Sequence, residues 1–350
     1  MSVRIEKLSG RAFLAFPEMT GLLTSELSSR FNYGSIQQAA TISGSVFNSE
    51  NASWYGELLF CPDFDSTNDD TPYWARTTLL EPFLLHFESI GEASRALKEI
   101  QRNWAPYQYQ LFRRASLIQE KLPYINLKER QFIKDGKCSV KIPDSAMGVY
   151  TLIDEKTIIA SAKTSNCFPA GAIRFVEDHE NPPSRAYLKI QEALVQHNHY
   201  FGVVLPSESS KCFEAGACPG GWTWVLRALG AEVFAVDRAP LADSLMNDKM
   251  VHFMAHDAFT LKPEDVCARL NCDKLDWVLS DVICYPERLF EWVNMWLESG
   301  RVENMICTIK MQGDIDWDLV KKFASLPGSR VVHLNYNKHE LTWLHTENLR

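Results

Sequence analysis

The sequence predicts an α/β protein: a doubly wound, mostly parallel sheet over residues 184–350, preceded by a smaller α+β region. Three observations predict it. From Ser184 onward, apolar runs alternate with helical stretches, the pattern of parallel strands joined by crossover helices. The run beginning at Lys211 leads into KCFEAGACPGGWTW, where glycines punctuate a turn from strand into helix. Ahead of Ser184 the elements come in a βα, ββ, α order, closed by the polar, proline-ended segment 176–183, VEDHENPP, the best linker candidate.

Taken in order, RAFLAF at 11–16 is a strand and EMTGLLTSELSSRF a helix with leucines at helical spacing. YGELLFC at 55–61 is a second strand, followed by an acidic turn-rich loop at 61–72. WARTTLLEPFLLHFE is a long strand or a pair of strands, with Pro82 marking an edge or bend. The spacing predicts a helix over 90–104 with Ser89 as its N-cap, and another over 110–122. GVYTLID (148–154) and TIIASAK (157–163) form a hairpin. The expected organisation is a ferredoxin-like α+β subdomain at 1–94, a second region at 95–180, and the α/β domain at 184–350.

Length, at 350 residues, allows two or three domains, and 46% hydrophobic with 23% charged residues is the balance of a soluble globular chain. No apolar run approaches the roughly 18–20 residues that span a bilayer. The N-terminus lacks a signal peptide's apolar core, and the nine cysteines include no Cys-x-x-Cys pair. These features predict a cytoplasmic protein with reduced thiols, no membrane partner and no metal site. The net charge of −8 is unevenly spread. Residues 1–94 carry 5 Lys+Arg against 12 Asp+Glu, whereas 95–141 carry 11 against 4, interleaved with aromatics. Such a block, including Arg102, Arg113, Arg114, Lys121, Lys128 and Arg130, suits phosphate and stacking contacts with RNA. A solvated helical face reads equally well.

The α/β segment reads as helix 184–198, strand 212–216, helix 219–229, strand 232–237, helix 240–248 and strand 251–255. Strand 275–281, helix 286–298, strand 304–310, helix 314–325 and strands 330–336 and 340–346 follow, the last two as an antiparallel edge hairpin. Ligands of such sheets bind at the carboxyl ends of the strands. Asp237 ends the second strand, 21 residues after Gly216, where a carboxylate can accept both hydroxyls of an adenosine ribose. G-A-C-P-G-G is not the G-x-G-x-x-G of dinucleotide sites. Pro219 at a helix start and two adjacent glycines fit the methionine portion of S-adenosylmethionine better than a pyrophosphate. Gly216, Ala217, Cys218, Pro219, Gly220, Gly221 and Trp222 are therefore candidate donor contacts. Asp257 is a candidate for the adenine amino group, or else a solvated loop carboxylate. Four polar residues complete the pattern, each with an ordinary alternative. Lys189 is otherwise a snorkelling surface lysine, and Asp281 a helix N-cap. Lys310 closes a buried apolar strand, and Glu340 opens the last strand as a site carboxylate or a surface one.

Taken together, S-R-A-Y-L-K, A-C-P-G-G-W, S-D-V, T-I-K-M and H-E-L-T-W-L-H make 184–350 resemble the FtsJ-type ribose 2′-O-methyltransferases. The resemblance implies a Rossmann-like fold, S-adenosylmethionine as cofactor and a catalytic tetrad of Lys189, Asp281, Lys310 and Glu340. It adds Ser184 and Asp281 to the donor contacts. Within the family it points to members that methylate a cytidine ribose of large-subunit ribosomal RNA and carry a ferredoxin-like subdomain and a THUMP RNA-binding domain. Here the acidic first 94 residues and an abbreviated THUMP-like stretch at 95–180 depart from that pattern. The implied chemistry is withdrawal of a proton from a ribose 2′-hydroxyl by Lys310 as general base, favoured by burial and by the like charge of Lys189. The implied partner is RNA, with a monomer the favoured state. Another RNA target, a catalytically silent donor- or RNA-binding module, and a nicotinamide oxidoreductase are the competing readings. The last is disfavoured by the glycine pattern.

Overall fold

The structure is a computed structural model that describes residues 3–42, 46–65, 67 and 70–348. Part of the acidic loop expected at 61–72, residues 66, 68 and 69, lies outside the described residues. Contacts divide the chain into two compact units, Met1–Lys128 with Ile142–Ile173, and Glu129–Lys141 with Arg174–Arg350.

The first unit holds two five-stranded sheets. One runs Ala40–Thr41, Ser53–Tyr55, Leu58–Cys61, Arg11–Ala15, Ala75–Leu79; the other runs Arg4–Lys7, Phe83–His86, Thr157–Ser161, Gly148–Leu152, Trp104–Pro106. The 74–88 segment is thus a pair of strands, and its two halves belong to different sheets. The break falls at Pro82, which has no N–H for a ladder and whose carbonyl instead accepts from Leu8 N–H at 3.0 Å. The helix after it, Ile90–Ile100, has the expected cap, with Ser89 Oγ accepting from Glu92 N–H at 3.3 Å.

The expected boundary at 94/95 does not separate compact units. Phe83–His86 pairs directly with Thr157–Ser161, so segments 1–94 and 95–180 share one sheet. Residues 129–141 belong to the other unit. There Arg130 N–H donates to Arg174 O at 2.9 Å, Val176 N–H returns to Arg130 O at 3.1 Å, and Phe132 meets Phe175 edge-on at 5.7 Å. The shift in charge near residue 95 is a property of side chains, and pairing of strands is decided by backbone and core. The hairpin Ile133–Lys134 with Lys137–Cys138 is a further element, turned by Asp135 and Gly136 at positive φ.

The second unit is built on a seven-stranded sheet in the order Val251–Ala255, Glu232–Asp237, Lys211–Ala215, Leu275–Ser280, Val302–Lys310, Glu340–Thr346, Ser329–Val332. The first five strands are parallel and the last two antiparallel to their neighbours. The parallel core agrees with the alternation of the sequence. The closing pair sits at the edge as expected, but its chain order is inverted in space. The final strand lies inside against Val302–Lys310, and the earlier, shorter Ser329–Val332 forms the rim. The helix Pro263–Arg269 had a readable signal, with Pro at its first position and Glu264 and Asp265 in its first turn. The helix expected over 240–248 is a single turn, Asp243–Met246.

Several ionisable groups of this unit are buried uncharged. His197 Nε2 meets the carbonyl of His345 at 2.8 Å, and burial pushes its pKa down to about 3. Burial pushes His333 and His345 down to about 4. Glu192 and Glu214 are pushed up by burial to about 8. An imidazole depressed in the folded state stabilises above the unfolded value of 6.5, and that stabilisation fades as pH falls toward 4. A raised carboxyl stabilises below 4.5 and loses its contribution as pH rises toward 8. The three imidazoles outnumber the two carboxyls between these limits. Maximum thermal stability of the unit is therefore expected near pH ~6.5, measured by unfolding midpoints across pH 4–9. Glu192→Gln should flatten the alkaline limb.

Candidate active site

Four charged side chains meet at the carboxyl edge of the seven-stranded sheet. Lys310 ends its strand and is paired in register with Glu340, which opens the neighbouring one. Asp281 follows the strand on the other side, Leu275–Ser280. Lys189 comes from the helix Tyr187–Phe201, on a face that is buried throughout its first three turns. Lys310 Nζ donates to Asp281 Oδ1 at 2.6 Å, Lys189 Nζ lies 3.3 and 3.4 Å from the two oxygens of Asp281, and Lys189 pairs with Glu340 Oε1 at 2.7 Å. The result is an unbroken ionic chain, Lys310–Asp281–Lys189–Glu340, of two cations and two anions.

Each charge in the chain depends on its neighbours. Burial is the largest influence on Lys189 and lowers its pKa, but Asp281 and Glu340 together outweigh it and hold the ammonium above its ordinary value. For Asp281 burial pushes upward and is outweighed by Lys189 and Lys310, and the carboxyl stays below its usual range. Glu340 is likewise depressed, burial being offset chiefly by Lys189. The surface alternatives for Lys189 and Glu340 do not hold: both are largely shielded from solvent.

The glycine loop leaves the next strand but one. Gly216 and Gly220 have φ of +78° and +111°, a region open mainly to glycine. Their neighbours explain them as well. A Cβ on Gly216 would stand 2.7 Å from Val282 Cγ2, one on Gly220 would overlap Leu245, and one on Gly221 would reach 2.5 Å from Ser184 Oγ. The glycines thus let protein segments close on the loop, where the sequence suggested only close approach of a ligand. The helix begins at Gly221, two residues later than expected, because Gly220 at its cap is left-handed. Pro219 precedes it through a cis bond from Cys218. Cys218 and Pro219 are exposed, whereas Ala217, Gly220, Gly221 and Trp222 are buried. The Trp222 ring packs in the core, so this residue can offer a ligand its backbone but hardly its ring.

Asp237 stands where the strand pattern put it. Its Oδ2 accepts from Cys218 N–H at 2.9 Å and its Oδ1 from Ala239 N–H at 3.1 Å, tying the glycine loop to the neighbouring strand end. Ser184 Oγ is buried without a hydrogen-bond partner among the described residues, against the start of the glycine-loop helix. An orphaned hydroxyl at one end of such a loop and Asp237 bonded to its Cys218 N–H fit a ligand with a polar head and a ribose. Asp257 caps a short turn at Phe259 N–H and is shared by Arg238 and Arg288 at 3.3 and 3.2 Å. It remains a partly exposed loop carboxylate, and much of its accepting capacity is already engaged.

Glu214 was not singled out by sequence reasoning. It sits fully buried in the strand before the loop, and its Oε2 accepts from Thr223 Oγ1 at 2.6 Å. A lone acidic residue inside the apolar run KCFEA was the available signal. Glu192 is a second: it accepts from Tyr336 N–H at 3.2 Å and so holds the loop that leads to Glu340.

The basic-block residues are dispersed. Arg102, Arg113, Lys121 and Lys128 are exposed on the first unit. Arg114 is half-buried, its guanidinium 5.5 Å from the Phe87 ring centre, a structural contact. Arg130 belongs to the second unit, where it reaches Lys141 O at 3.4 Å.

Residues 182–316 match the family of FtsJ-like methyltransferases. The chain is similar to ribosomal RNA large subunit methyltransferase M of Alkalilimnicola ehrlichii, 33% identical over 172 residues, 46% of this chain and 45% of that one. It is similar to the same-named proteins of Thauera aminoaromatica, 29% over 199 residues (53% and 52%), and Halorhodospira halophila, 31% over 158 residues (45% and 43%). The chain spans about half the length of the curated relatives it matches.

Because Gly216 is both left-handed and packed on Val282, Gly216→Ala should cost about 1–3 kcal/mol in urea unfolding. Gly202→Ala is the control. That glycine has φ +66° with nothing within 4 Å of its would-be Cβ, so it should lose only the backbone share, about 1 kcal/mol.

Proposed function

We propose that the second unit transfers a methyl group from S-adenosylmethionine to a ribose 2′-hydroxyl of RNA, its substrate being large-subunit ribosomal RNA and its target a cytidine. The observation that carries this reading is the ionic chain Lys310–Asp281–Lys189–Glu340 beside a glycine loop at one sheet edge. The match of 182–316 to FtsJ-like methyltransferases and the names of the similar proteins support it. The free cysteines fit action in the cytoplasm.

Ser184, the backbone of Gly216–Trp222, and Asp237 would hold the donor, with Asp257 at the adenine end and Asp281 at the methyl end. When bound, the sulfonium supplies an already activated methyl group, so the protein's tasks are alignment and the handling of one proton. The ionic chain divides those tasks. Lys189 lies between two carboxylates and serves as the fixed cation. Among the described residues Lys310 makes its ion pair with Asp281, with Glu340 acting on it at longer range, and it stands at the open end of the chain. In its neutral form its Nζ would take the 2′-hydroxyl proton and so make that oxygen nucleophilic. Asp281 and Glu340 keep both lysines and the hydroxyl in register. A lone pair of lysines without the carboxylates would not be held at this edge.

For the first unit we propose RNA binding through its exposed basic residues, Arg102, Arg113, Lys121 and Lys128, as a ferredoxin-like and abbreviated THUMP-like module. The favoured state of the whole is a monomer.

Lys310→Ala should retain donor affinity in calorimetry yet lose methyl transfer by about 100-fold or more. Normal turnover by this variant rejects the assignment. Ribose-methylation mapping across all RNAs of a strain lacking the protein should show loss at a single large-subunit cytidine. Arg113→Glu should weaken RNA binding and reduce the salt slope by about one counterion, measured by filter binding from 50 to 200 mM salt. An unchanged slope would place RNA elsewhere.

A further inference from the structure

We propose that two segments flanking Lys310 orient the target nucleotide: Ile283 and Tyr285 receive the base, and Lys338 with His339 receives the backbone phosphate. The proposal rests on the methyl-transfer reading above and adds which side of the site takes which part of the nucleotide.

Strand order sets the positions. Leu275–Ser280 and Glu340–Thr346 are the two neighbours of Val302–Lys310. The chain leaving Asp281 and the chain arriving at Glu340 therefore pass the sheet edge on opposite sides of Lys310. Strands lie about 4.8 Å apart, so the two exits stand about 10 Å apart. A ribose held over Lys310 has its base and its phosphate within reach of the two.

The chemistry of the two sides is opposite. Ile283 and Tyr285 are 82% and 65% exposed, two large apolar side chains within three residues and directly beyond Asp281. Single exposed apolar residues need no explanation, but a pair at the rim of an ion network does. Tyr285 lines a pocket with Ile309 and Met311 beside the end of the strand that Lys310 closes. The same pocket is lined by Glu287, Asp314 and Asp316. Their charges repel a phosphate and leave the neutral face of a base as the part of the nucleotide this side can take.

On the other side Lys338 and His339 are exposed, and the backbone beneath them is fixed by buried groups. His333 Nε2 donates to Lys338 O at 3.1 Å, Asn337 Nδ2 to Thr342 Oγ1 at 3.0 Å, and Glu192 accepts Tyr336 N–H at 3.2 Å. A backbone so held need not be ordered when the lysine meets an anion, which leaves only the side chain's own freedom to be lost.

The test uses the whole protein and large-subunit ribosomal RNA purified from a strain lacking it. Methyl-transfer kinetics are measured from 50 to 200 mM salt, with donor-site integrity checked by calorimetry with S-adenosylhomocysteine. Tyr285→Ala is expected to lower kcat/KM for RNA by about tenfold or more with an unchanged salt slope, and Tyr285→Phe to restore it. Lys338→Glu is expected to raise KM and reduce the salt slope by about one counterion. All three should bind the donor product as the parent does. Unchanged kcat/KM in Tyr285→Ala, or an unchanged slope in Lys338→Glu, overturns the proposal while leaving methyl transfer intact. Should Tyr285→Ala lose donor binding, Ile283→Ser takes its place with the same expectation. A parent protein that binds the donor product and methylates no RNA instead removes the methyl-transfer reading, and this proposal with it.

Discussion

Charge balance at one sheet edge constrains the rest of the second unit. Two ammoniums and two carboxylates are drawn largely out of water, and none can be kept there without the others. Deleting one partner of a buried ion pair costs about 3–5 kcal/mol, because the charge left behind has lost both water and partner. The strand order answers that requirement. It sets Asp281, Lys310 and Glu340 on three adjacent strand ends, and the helix Tyr187–Phe201 brings Lys189 to the remaining face. An arrangement with the final strand at the rim would leave Glu340 one strand away from Lys310.

The same edge couples the ion chain to the glycine loop. Asp281 N–H donates to Ala215 O at 3.3 Å, and Val282 packs where Gly216 has no side chain. The position of the carboxylate shared by both lysines is thus set partly by a glycine on the neighbouring strand. Glu214 beneath this contact is uncharged at neutral pH, being pushed up to about 8 by burial. A further negative charge there would weigh against Asp281 and Asp237. Its hydrogen bond to Thr223 fixes the helix that follows the loop without adding charge to the site.

Charge along the sequence maps least directly onto a surface in the first unit. The basic block between 95 and 141 looks like one surface in the sequence, yet residues 129–141 belong to the other unit and Arg114 lies against Phe87. Lysines and arginines report where water is, and also where their long stems pack. A linear run of them therefore does not define a face. The remaining exposed members, on the first unit, are the ones to which RNA binding is assigned.

Much of the second unit was legible from residues alone. Alternation of apolar runs and helices gave the parallel sheet, since strands covered on both faces must be apolar throughout. The residues at strand ends, Asp237, Asp281 and Lys310, followed from the rule that such ends gather at one edge. What the sequence could not decide was anything set by spatial neighbours. Whether Lys189 was a surface lysine depended on which carboxylates its helix met. Glycines that the sequence offered for a ligand make room for Val282, Leu245 and Ser184. The split of 74–88 between two sheets, and the inversion of the last two strands, depended on which edges were open to pairing. Local pattern fixes the period of burial along a chain, but long-range pairing selects among partners of similar local preference. Only the folded chain makes that selection.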